Sequence, residues 1–209
     1  MAGRKKTDAM RQAIVEAAEA VFAQADFHEV LTDDIAARAG IGKGTLYRYF
    51  RSKEELYLAA IGEGLAALHA TVTAVLTEDR SLEETVRRLV HTLIEYFWHK
   101  RDFFVLMHRL EPKLKARERA EWQARRSEIV RMLRRMIDRA IARGEVSRVH
   151  SRLAAEALLG MIRGVCVYRL DSDRPDDLAE TVIRLFLFGL RATQASAGRR
   201  VSTPARAAH

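Results

Sequence analysis

"AGIGKGTLYRYF", residues 39 to 50, places three glycines, a lysine and a threonine within six positions and then becomes aromatic. Glycine next to lysine and a hydroxyl residue is typical of phosphate-binding loops, and glycine is also typical of tight turns between helices. The stretch therefore has two candidate meanings, and its neighbours in the chain decide between them.

A nucleotide-binding phosphate loop does not fit this stretch. Such a loop has the form G-x-x-x-x-G-K-[ST] and joins a buried strand to a helix, because its backbone amides must surround the phosphates. Here Ala37 stands five positions before Gly42, and Gly44 follows Lys43. The preceding residues predict a helix with a polar face, so a dinucleotide-binding fingerprint, which needs a strand there, fails as well.

A helix-turn-helix accounts for the stretch and for the residues before it. Thr32 is placed to cap a short second helix that has two aspartates in its first turn, and Gly40 ends that helix. A third helix follows the turn and ends by Phe50. The small and apolar residues that would hold these helices together are Ile35, Ala36, Ile41 and Leu46.

The third helix leaves hydrogen-bond donors and aromatic rings exposed. Lysine and arginine reach guanine edges or phosphates, the threonine methyl meets thymine, and tyrosine hydroxyls donate to phosphates. Gly44 would let the start of the helix approach a duplex, and Lys53 lies in the first turn of the next helix, where free backbone amides favour a phosphate. The exposed set on the third helix is Lys43, Thr45, Tyr47, Arg48 and Tyr49.

The run LTDDIAARAGIGKGTLYRYFRSKEELYLAAI, residues 31 to 61, resembles the DNA-binding signature of the TetR (tetracycline repressor) family of bacterial transcription regulators. A fainter similarity covers ARGEVSRVHSRLAAEALLGMIRGV, residues 142 to 165. The resemblance implies that Thr32 contacts a phosphate, that Lys43 to Tyr49 form the recognition helix, and that Lys53 touches the DNA backbone. Gly42 departs from the family's frequent capping serine, and Asp26 departs from its usual turn glycine.

The rest of the chain predicts an all-α fold of about nine helices. Capping boxes at Ser52 and Ser81 begin the fourth and fifth helices, and Gly144 ends a long seventh one. We expect a basic N-terminal arm and helix-turn-helix DNA-binding domain over 1–52, and a helical ligand-binding and dimerisation domain over 53–195. Helix four, 53–76, connects the two, and a disordered tail covers 196–209.

Composition bounds the functional class. The chain has a net charge of +8, but residues 1–60 carry nine basic and nine acidic residues, and the excess lies between Lys100 and His150. Global charge is therefore weak evidence for nucleic-acid binding, whereas the five basic residues without an acid from Arg38 to Lys53 are stronger. The single cysteine excludes an internal disulfide, and the apolar runs are short and interrupted, so we expect a cytoplasmic protein without a membrane segment.

Two features of the second half predict its partners. Helix nine is apolar around most of its circumference and helix eight carries small residues along one side, so we expect a homodimer through these two helices. The resemblance implies a cavity for a small-molecule effector, although such apolar residues are also typical of plain core. The candidate ligand-binding residues are Phe97, Phe104, Met107, Trp122, Met136 and Met161.

The sequence thus predicts a ligand-responsive transcriptional regulator, a repressor that binds a pseudo-palindromic operator as a homodimer. We expect no enzymatic activity, cofactor or metal, because no catalytic set and no metal-ligand spacing is present. A helical enzyme and a nonspecific architectural DNA-binding protein are the alternatives. The effector and the operator sequence cannot be read from the residues.

Overall fold

A computed structural model describes the backbone of residues 2–110 and 116–197, and the side chains of residues 7–108 and 123–190. Within that part of the chain every element of regular secondary structure is an α-helix. It divides into two compact units, the first formed by Met1–Thr71 and Tyr96–Arg126 and the second by Val72–Glu95 and Ser127–His209. The helices are α1 (Ala2–Gln24), α2 (Thr32–Arg38), α3 (Lys43–Tyr49), α4 (Lys53–Leu76), α5 (Leu82–His99), α6 (Arg101–Leu110), α7 (Ala116–Ala142), α8 (Ser151–Tyr168) and α9 (Pro175–Ala197).

The turn between α2 and α3 depends on Gly40. Its φ is +68°, a left-handed conformation that residues with a Cβ rarely adopt. There the Ile41 amide donates to the Ala36 carbonyl at 3.0 Å, and the Gly40 amide donates to the Ala37 carbonyl at 3.1 Å. These two bonds satisfy the last carbonyls of α2 and redirect the chain into α3.

The helices of the helix-turn-helix are held by small and apolar side chains, as the sequence predicts. Ile35 and Leu46 are fully buried, Ala36 is buried, and Ile41 is half-buried. α2 packs against α1 and against α3. Because both helices have only seven residues, their stability comes from this packing rather than from helix propensity.

An aromatic cluster closes the same unit at the C-terminal end of α1. Phe22 on α1, Phe27 in the following turn and Tyr57 on α4 form three ring pairs with centroids 4.8 to 5.9 Å apart. Burial raises the pKa of the Tyr57 hydroxyl to about 12, so this tyrosine stays neutral. The cluster fixes the turn that leads into α2.

α4 packs closely against α6 at Gly64, where the Phe103 ring occupies the space that a side chain would need. A Cβ added at Gly64 would overlap the ring of Phe103 on α6, whereas a Cβ at Gly62 would meet nothing within 4 Å. The Tyr96 hydroxyl donates to the Gly64 carbonyl at 3.2 Å. α6 also packs against α1. Through these contacts α6 is held against both α1 and α4, with the Phe103 ring on the α4 side.

The length and apolar composition of α4 also meet the requirements of a membrane span, contrary to our expectation that no segment would. In this structure one stripe of its apolar residues is buried within the protein, which is typical of an amphipathic core helix. The buried stripe comprises Leu56, Ala60, Ile61, Leu65, Leu68, Val72, Val75 and Leu76.

In the second unit α9 packs against α8 and is linked to α5 by an ion pair. The Arg87 guanidinium on α5 bonds both carboxylate oxygens of Glu180 on α9, at 3.1 and 3.2 Å. The Leu82 amide that begins α5 donates to Glu145 at 2.6 Å, directly after the turn that ends α7. Gly144 forms that turn with a φ of +73°, which confirms its predicted role at the helix end.

Two predicted helix signals are resolved in detail. Ser81 and Glu84 form a reciprocal capping box, with amide-to-side-chain bonds of 3.1 and 3.2 Å. Thr32, however, is the first residue of α2 and not its cap; the cap position is Leu31, which has no side chain able to accept a bond. The Thr32 hydroxyl lies instead beside a tyrosine of α3.

The ends of the chain differ from the expected boundaries. α1 begins at Ala2, so residues Arg4 to Lys6 of the expected basic N-terminal arm are part of the helix. α9 extends to Ala197, so the first residues of the expected tail are helical, because its alanine-rich sequence favours helix. Residues 198–209 of that tail lie outside the described residues. The functional division near residue 52 stays a prediction.

Gly64→Ala should lower the free energy of unfolding by about 1–3 kcal/mol, because the new methyl group overlaps the Phe103 ring and overpacks the core. Gly62→Ala is the matched control on the same helix. It should leave the free energy unchanged or raise it by up to about 1 kcal/mol, since alanine is the better helix former. Urea unfolding followed by circular dichroism measures both, and equal effects of the two variants would contradict the packing described for Gly64.

Candidate nucleic-acid interface

α3 is amphipathic over only two turns. Leu46 and the residue that ends the helix, Phe50, are buried, while the opposite side is open to solvent. Its exposed residues are Lys43, Gly44, Tyr47 and Arg48, and its half-buried residues are Thr45 and Tyr49. The residues predicted to contact DNA on this helix therefore lie on its accessible side or along its edge.

The first contact between α2 and the exposed side of α3 is a pair of hydroxyls. Thr32 Oγ1 lies 3.2 Å from the Tyr47 hydroxyl. The bond links the N-terminus of α2 to the middle of α3, and 41% of the Tyr47 side chain stays exposed. The two hydroxyls predicted to meet DNA are thus brought together, and the one that accepts in this bond keeps its own proton to donate to a phosphate.

The second contact is an ion pair at the start of α3. The Lys43 ammonium lies 2.9 and 3.1 Å from the two carboxylate oxygens of Asp33. The hydrogen bond and then the charge of Asp33 raise the pKa of Lys43, so the lysine stays charged. Both side chains are exposed, so the pair contributes little to stability, and a phosphate can compete with Asp33 for the lysine.

Lys53 is placed differently from the recognition-helix residues. Its ammonium donates to the carbonyls of Phe27 at 2.7 Å and Val30 at 2.9 Å, and it lies 4.5 Å from the centre of the Phe27 ring. These contacts tie the start of α4 to the turn between α1 and α2. Lys53 therefore has a structural role that sequence reasoning did not identify, and its DNA contact stays a prediction.

Gly42 and Gly44, at the start of α3, have different structural roles. Gly42 occupies the cap position of α3 with an extended backbone, and its carbonyl accepts from the Thr45 amide at 2.9 Å. It supplies no side-chain bond, as the departure from the family's serine predicts. A Cβ at Gly44 would meet nothing within the protein, so this glycine leaves room on the outer side of the helix.

Sequence reasoning did not select three exposed residues near this surface. Arg38 ends α2, Arg51 follows α3, and Leu31, which precedes α2, is 60% exposed. The two arginines belong to the run of five basic residues from Arg38 to Lys53, and that run does not indicate which of its members contact DNA. Leu31 carried no signal, because its exposure depends on how α2 packs.

The predicted effector-binding residues fall into both units. In the first unit Phe97 and Phe104 are buried and their ring centroids lie 5.0 Å apart, with Met107 half-buried. In the second unit Met136 is buried and Met161 is half-buried. The Trp122 side chain lies outside the described residues. Phe97 and Phe104 thus contact each other, while a ligand-binding role for the set stays a prediction.

Metal ligation finds no support in the part of the chain whose side chains are described. No three His, Cys, Asp or Glu side chains come together there in a way that would hold an ion. Cys166 is buried, and burial raises the pKa of its thiol to about 11, which keeps it protonated and unreactive.

Lys53→Met should lower the free energy of unfolding by about 1–3 kcal/mol, because two carbonyls lose a charged donor. Lys43→Met is the control: it removes an exposed ion pair and should change stability by less than about 1 kcal/mol. Thermal and urea unfolding of the two variants give the comparison. If Lys53→Met is as stable as the unsubstituted protein, the anchoring role of Lys53 is wrong.

Two family models match the chain and together cover most of it. Residues 14–60 match the model described as bacterial regulatory proteins of the tetR family. Residues 79–190 match the model of the tetracyclin repressor-like C-terminal domain, which is more than half of the chain. The first match contains the whole of α2 and α3, and the second contains α5 to α8 and most of α9.

Individual relatives agree with these models. The chain is 28% identical over 179 residues to the HTH-type transcriptional activator FasR of Mycolicibacterium smegmatis, covering 83% of this chain and 78% of the relative. It superposes on the TetR family transcriptional regulator PfmR of Thermus thermophilus with a TM-score of 0.77 and 27% identity, over 85% of this chain and 98% of the other.

A third structure shares the fold at lower identity. It is AibR in complex with isovaleryl coenzyme A and operator DNA, with a TM-score of 0.74 and 21% identity over 84% of this chain and 97% of that one. With a matching DNA-binding model, a matching C-terminal model and an exposed recognition helix, the chain belongs to the tetR family of bacterial regulatory proteins and is a DNA-binding transcriptional regulator.

Proposed function

We propose that this regulator is a ligand-responsive repressor that binds a pseudo-palindromic operator as a homodimer. The observation that carries the DNA-binding part is the two-sided character of α3. Leu46 holds the helix in the protein, and Lys43, Gly44, Tyr47 and Arg48 are presented together to solvent. A helix of this size and polarity fits the major groove of B-DNA.

Each residue of the surface has a proposed role. Lys43 and Arg48 bond guanine edges or phosphates, and the Thr45 methyl contacts a thymine. Tyr47 and Tyr49 donate to phosphates, and Gly44 permits close approach. Thr32 and Lys53 are the proposed backbone contacts outside α3, Thr32 through its hydroxyl and Lys53 through an ammonium proton not used by the two carbonyls.

The homodimer is supported by an exposed apolar surface in the second unit. On α9, Leu185 is 62% and Phe188 is 74% exposed, although α8 and α9 already pack against each other. On α8 the exposed or half-buried stripe comprises Leu153, Ala157, Gly160, Gly164 and Val167. A contiguous apolar surface of this kind is typical of a protein interface, and small residues let helices of two protomers approach closely.

Two-fold symmetry has a direct consequence for DNA recognition. One α3 has only seven residues and reads few base pairs, whereas two of them related by a two-fold axis read two half-sites in successive major grooves. The operator should therefore be a pseudo-palindrome whose half-site spacing matches the distance between the two recognition helices.

The proposed effector-binding residues are Phe97, Phe104 and Met107 in the first unit, Met136 and Met161 in the second, and Trp122, whose side chain lies outside the described residues. Aromatic and methionine side chains suit an apolar ligand. AibR, which shares the fold, was solved with both an acyl-coenzyme A ester and operator DNA. If effector binding weakens operator affinity, the operator must weaken effector affinity by the same factor.

The direction of regulation is the finer part of this proposal, since FasR is an activator. Footprinting the DNA upstream of the protein's own gene, with transcription measured in the presence and absence of the protein, separates the two directions. Repeating it with apolar, cationic and acidic small molecules identifies the effector class. Increased transcription on addition of the protein would contradict repression and leave DNA binding intact.

Tyr47→Ala and Arg48→Ala should each weaken binding to a palindromic site selected from random DNA by about ten- to a hundredfold, the loss of one good contact. Arg131→Ala removes an exposed arginine from α7 and is the matched control, expected to leave specific binding unchanged. Mobility shifts at physiological salt measure all three. If no selected sequence binds better than random duplex, a nonspecific DNA-binding protein is the better description.

Phe188→Asp should convert the dimer to a monomer, because a charge at the centre of an apolar interface is left unpaired. Specific operator affinity should fall with it, since one half-site is no longer held. Leu58→Asp places the same charge on an exposed position of α4 and should leave the dimer intact. Analytical ultracentrifugation gives the oligomeric state, and a dimeric Phe188→Asp would show that the interface lies elsewhere.

A further inference from the structure

A polar cleft opens in the first unit. Its volume is about 260 Å³, space for about eight waters or one small organic molecule. α1, the end of α2 and the α5–α6 junction supply its walls. The lining residues are Glu16, Glu19, Ala20, Arg38, His99, Lys100, Arg101, Asp102 and Phe103.

Glu19 is the unusual member of this lining. Only 9% of the residue is exposed, although its neighbour in the cleft, Glu16, is open to solvent. Among the residues whose side chains are described, none donates a hydrogen bond or forms an ion pair with the Glu19 carboxylate. The Glu19 oxygens are not among the atoms sealed off from water, so the carboxylate opens onto the cleft and can accept hydrogen bonds from whatever occupies it.

The charges around Glu19 do not supply a donor. The pKa of Glu19 is raised to about 7, chiefly by burial and also by the negative charges of Glu16, Glu63 and Asp102, while the charge of Lys100 lowers it. Glu63 on α4 is itself paired with Arg11 of α1. Lys100 is near enough to influence Glu19 electrostatically, yet the two form no ion pair.

Charges of both signs line the cleft. α1 contributes the carboxylates of Glu16 and Glu19, and the end of α2 and the α5–α6 junction contribute the cations of Arg38, Lys100 and Arg101 together with the carboxylate of Asp102. The space between them separates a buried acceptor from a group of donors. A molecule that bridges them must have a cationic donor at one end and an anionic acceptor at the other.

We propose that this cleft binds a small zwitterion of the amino-acid class, with its ammonium group donating to Glu19 and its carboxylate held by Lys100 and Arg38. Glu19 and Lys100 are neither among the predicted DNA-binding residues nor among the apolar effector residues of the proposed function. A molecule with only an amine pairs with Glu19 and leaves Lys100 and Arg38 without an anionic partner. A molecule with only a carboxylate pairs with these two cations and gives Glu19 no donor.

Binding should depend on pH in a defined direction. The ammonium group binds the ionised form of Glu19, and a carboxyl with a pKa of about 7 is about one tenth ionised at pH 6 and nine tenths ionised at pH 8. Affinity should therefore increase about tenfold from pH 6 to pH 8, with release of a proton on binding. Simple amino acids keep both end charges across this range.

The test is an NMR titration of the full chain with glycine, β-alanine and γ-aminobutyrate, which share both end groups and differ in length. Propylamine and butyrate are the single-charge controls. We expect saturable shifts at the amides of α1 and the α5–α6 junction for at least one zwitterion, and at least tenfold weaker binding of either control.

Glu19→Gln and Lys100→Gln remove one wall at a time and should each weaken that zwitterion at least tenfold, with Glu19→Gln also abolishing the pH dependence. Glu128→Gln on α7 is the matched control and should bind as the unsubstituted protein does. Lys100 is exposed, so its variant remains informative if Glu19→Gln does not fold. No saturable binding by any zwitterion, or equal binding by Glu19→Gln, would overturn the proposal without affecting operator recognition.

Discussion

The reversal of the chain at Gly40 is the constraint on which the DNA-reading part of this protein depends. α2 and α3 are too short to persist alone, and they cross closely only because the backbone adopts a left-handed conformation at one residue. The turn buries Leu46 and Ile35 on one side. It consequently places the polar residues of α3 on the other.

Support for that turn comes from outside the motif. The Phe22, Phe27 and Tyr57 cluster fixes the segment that enters α2, and Lys53 bonds two carbonyls of the same segment. Lys53, at the start of α4, therefore has two roles in the proposed mechanism. It organises the protein, and it retains a donor for the DNA backbone, so loss of DNA binding in a Lys53 variant is not by itself evidence of a direct contact.

Much of the helical architecture was predictable because its signals are local. Capping residues such as Ser81 and glycines such as Gly144 each act over a few neighbours, and the structure confirms them. Thr32 shows the limit of such signals. As a residue type it suits a helix cap, but the approach of α3 brings Tyr47 beside its hydroxyl and the cap position falls on Leu31.

The sequence by itself determined the helical class, the helix-turn-helix and the exposure of Lys43, Tyr47 and Arg48 on α3, because glycine conformation and apolar spacing depend on the chain's own neighbours. Only the tertiary structure decided what individual polar groups bond: the pairing of Lys43 with Asp33, the anchoring of Lys53 and the burial of Glu19 beside a cleft. These depend on contacts between helices distant in sequence, and a charged residue carries no local signal of the partner, or the missing partner, that folding will give it.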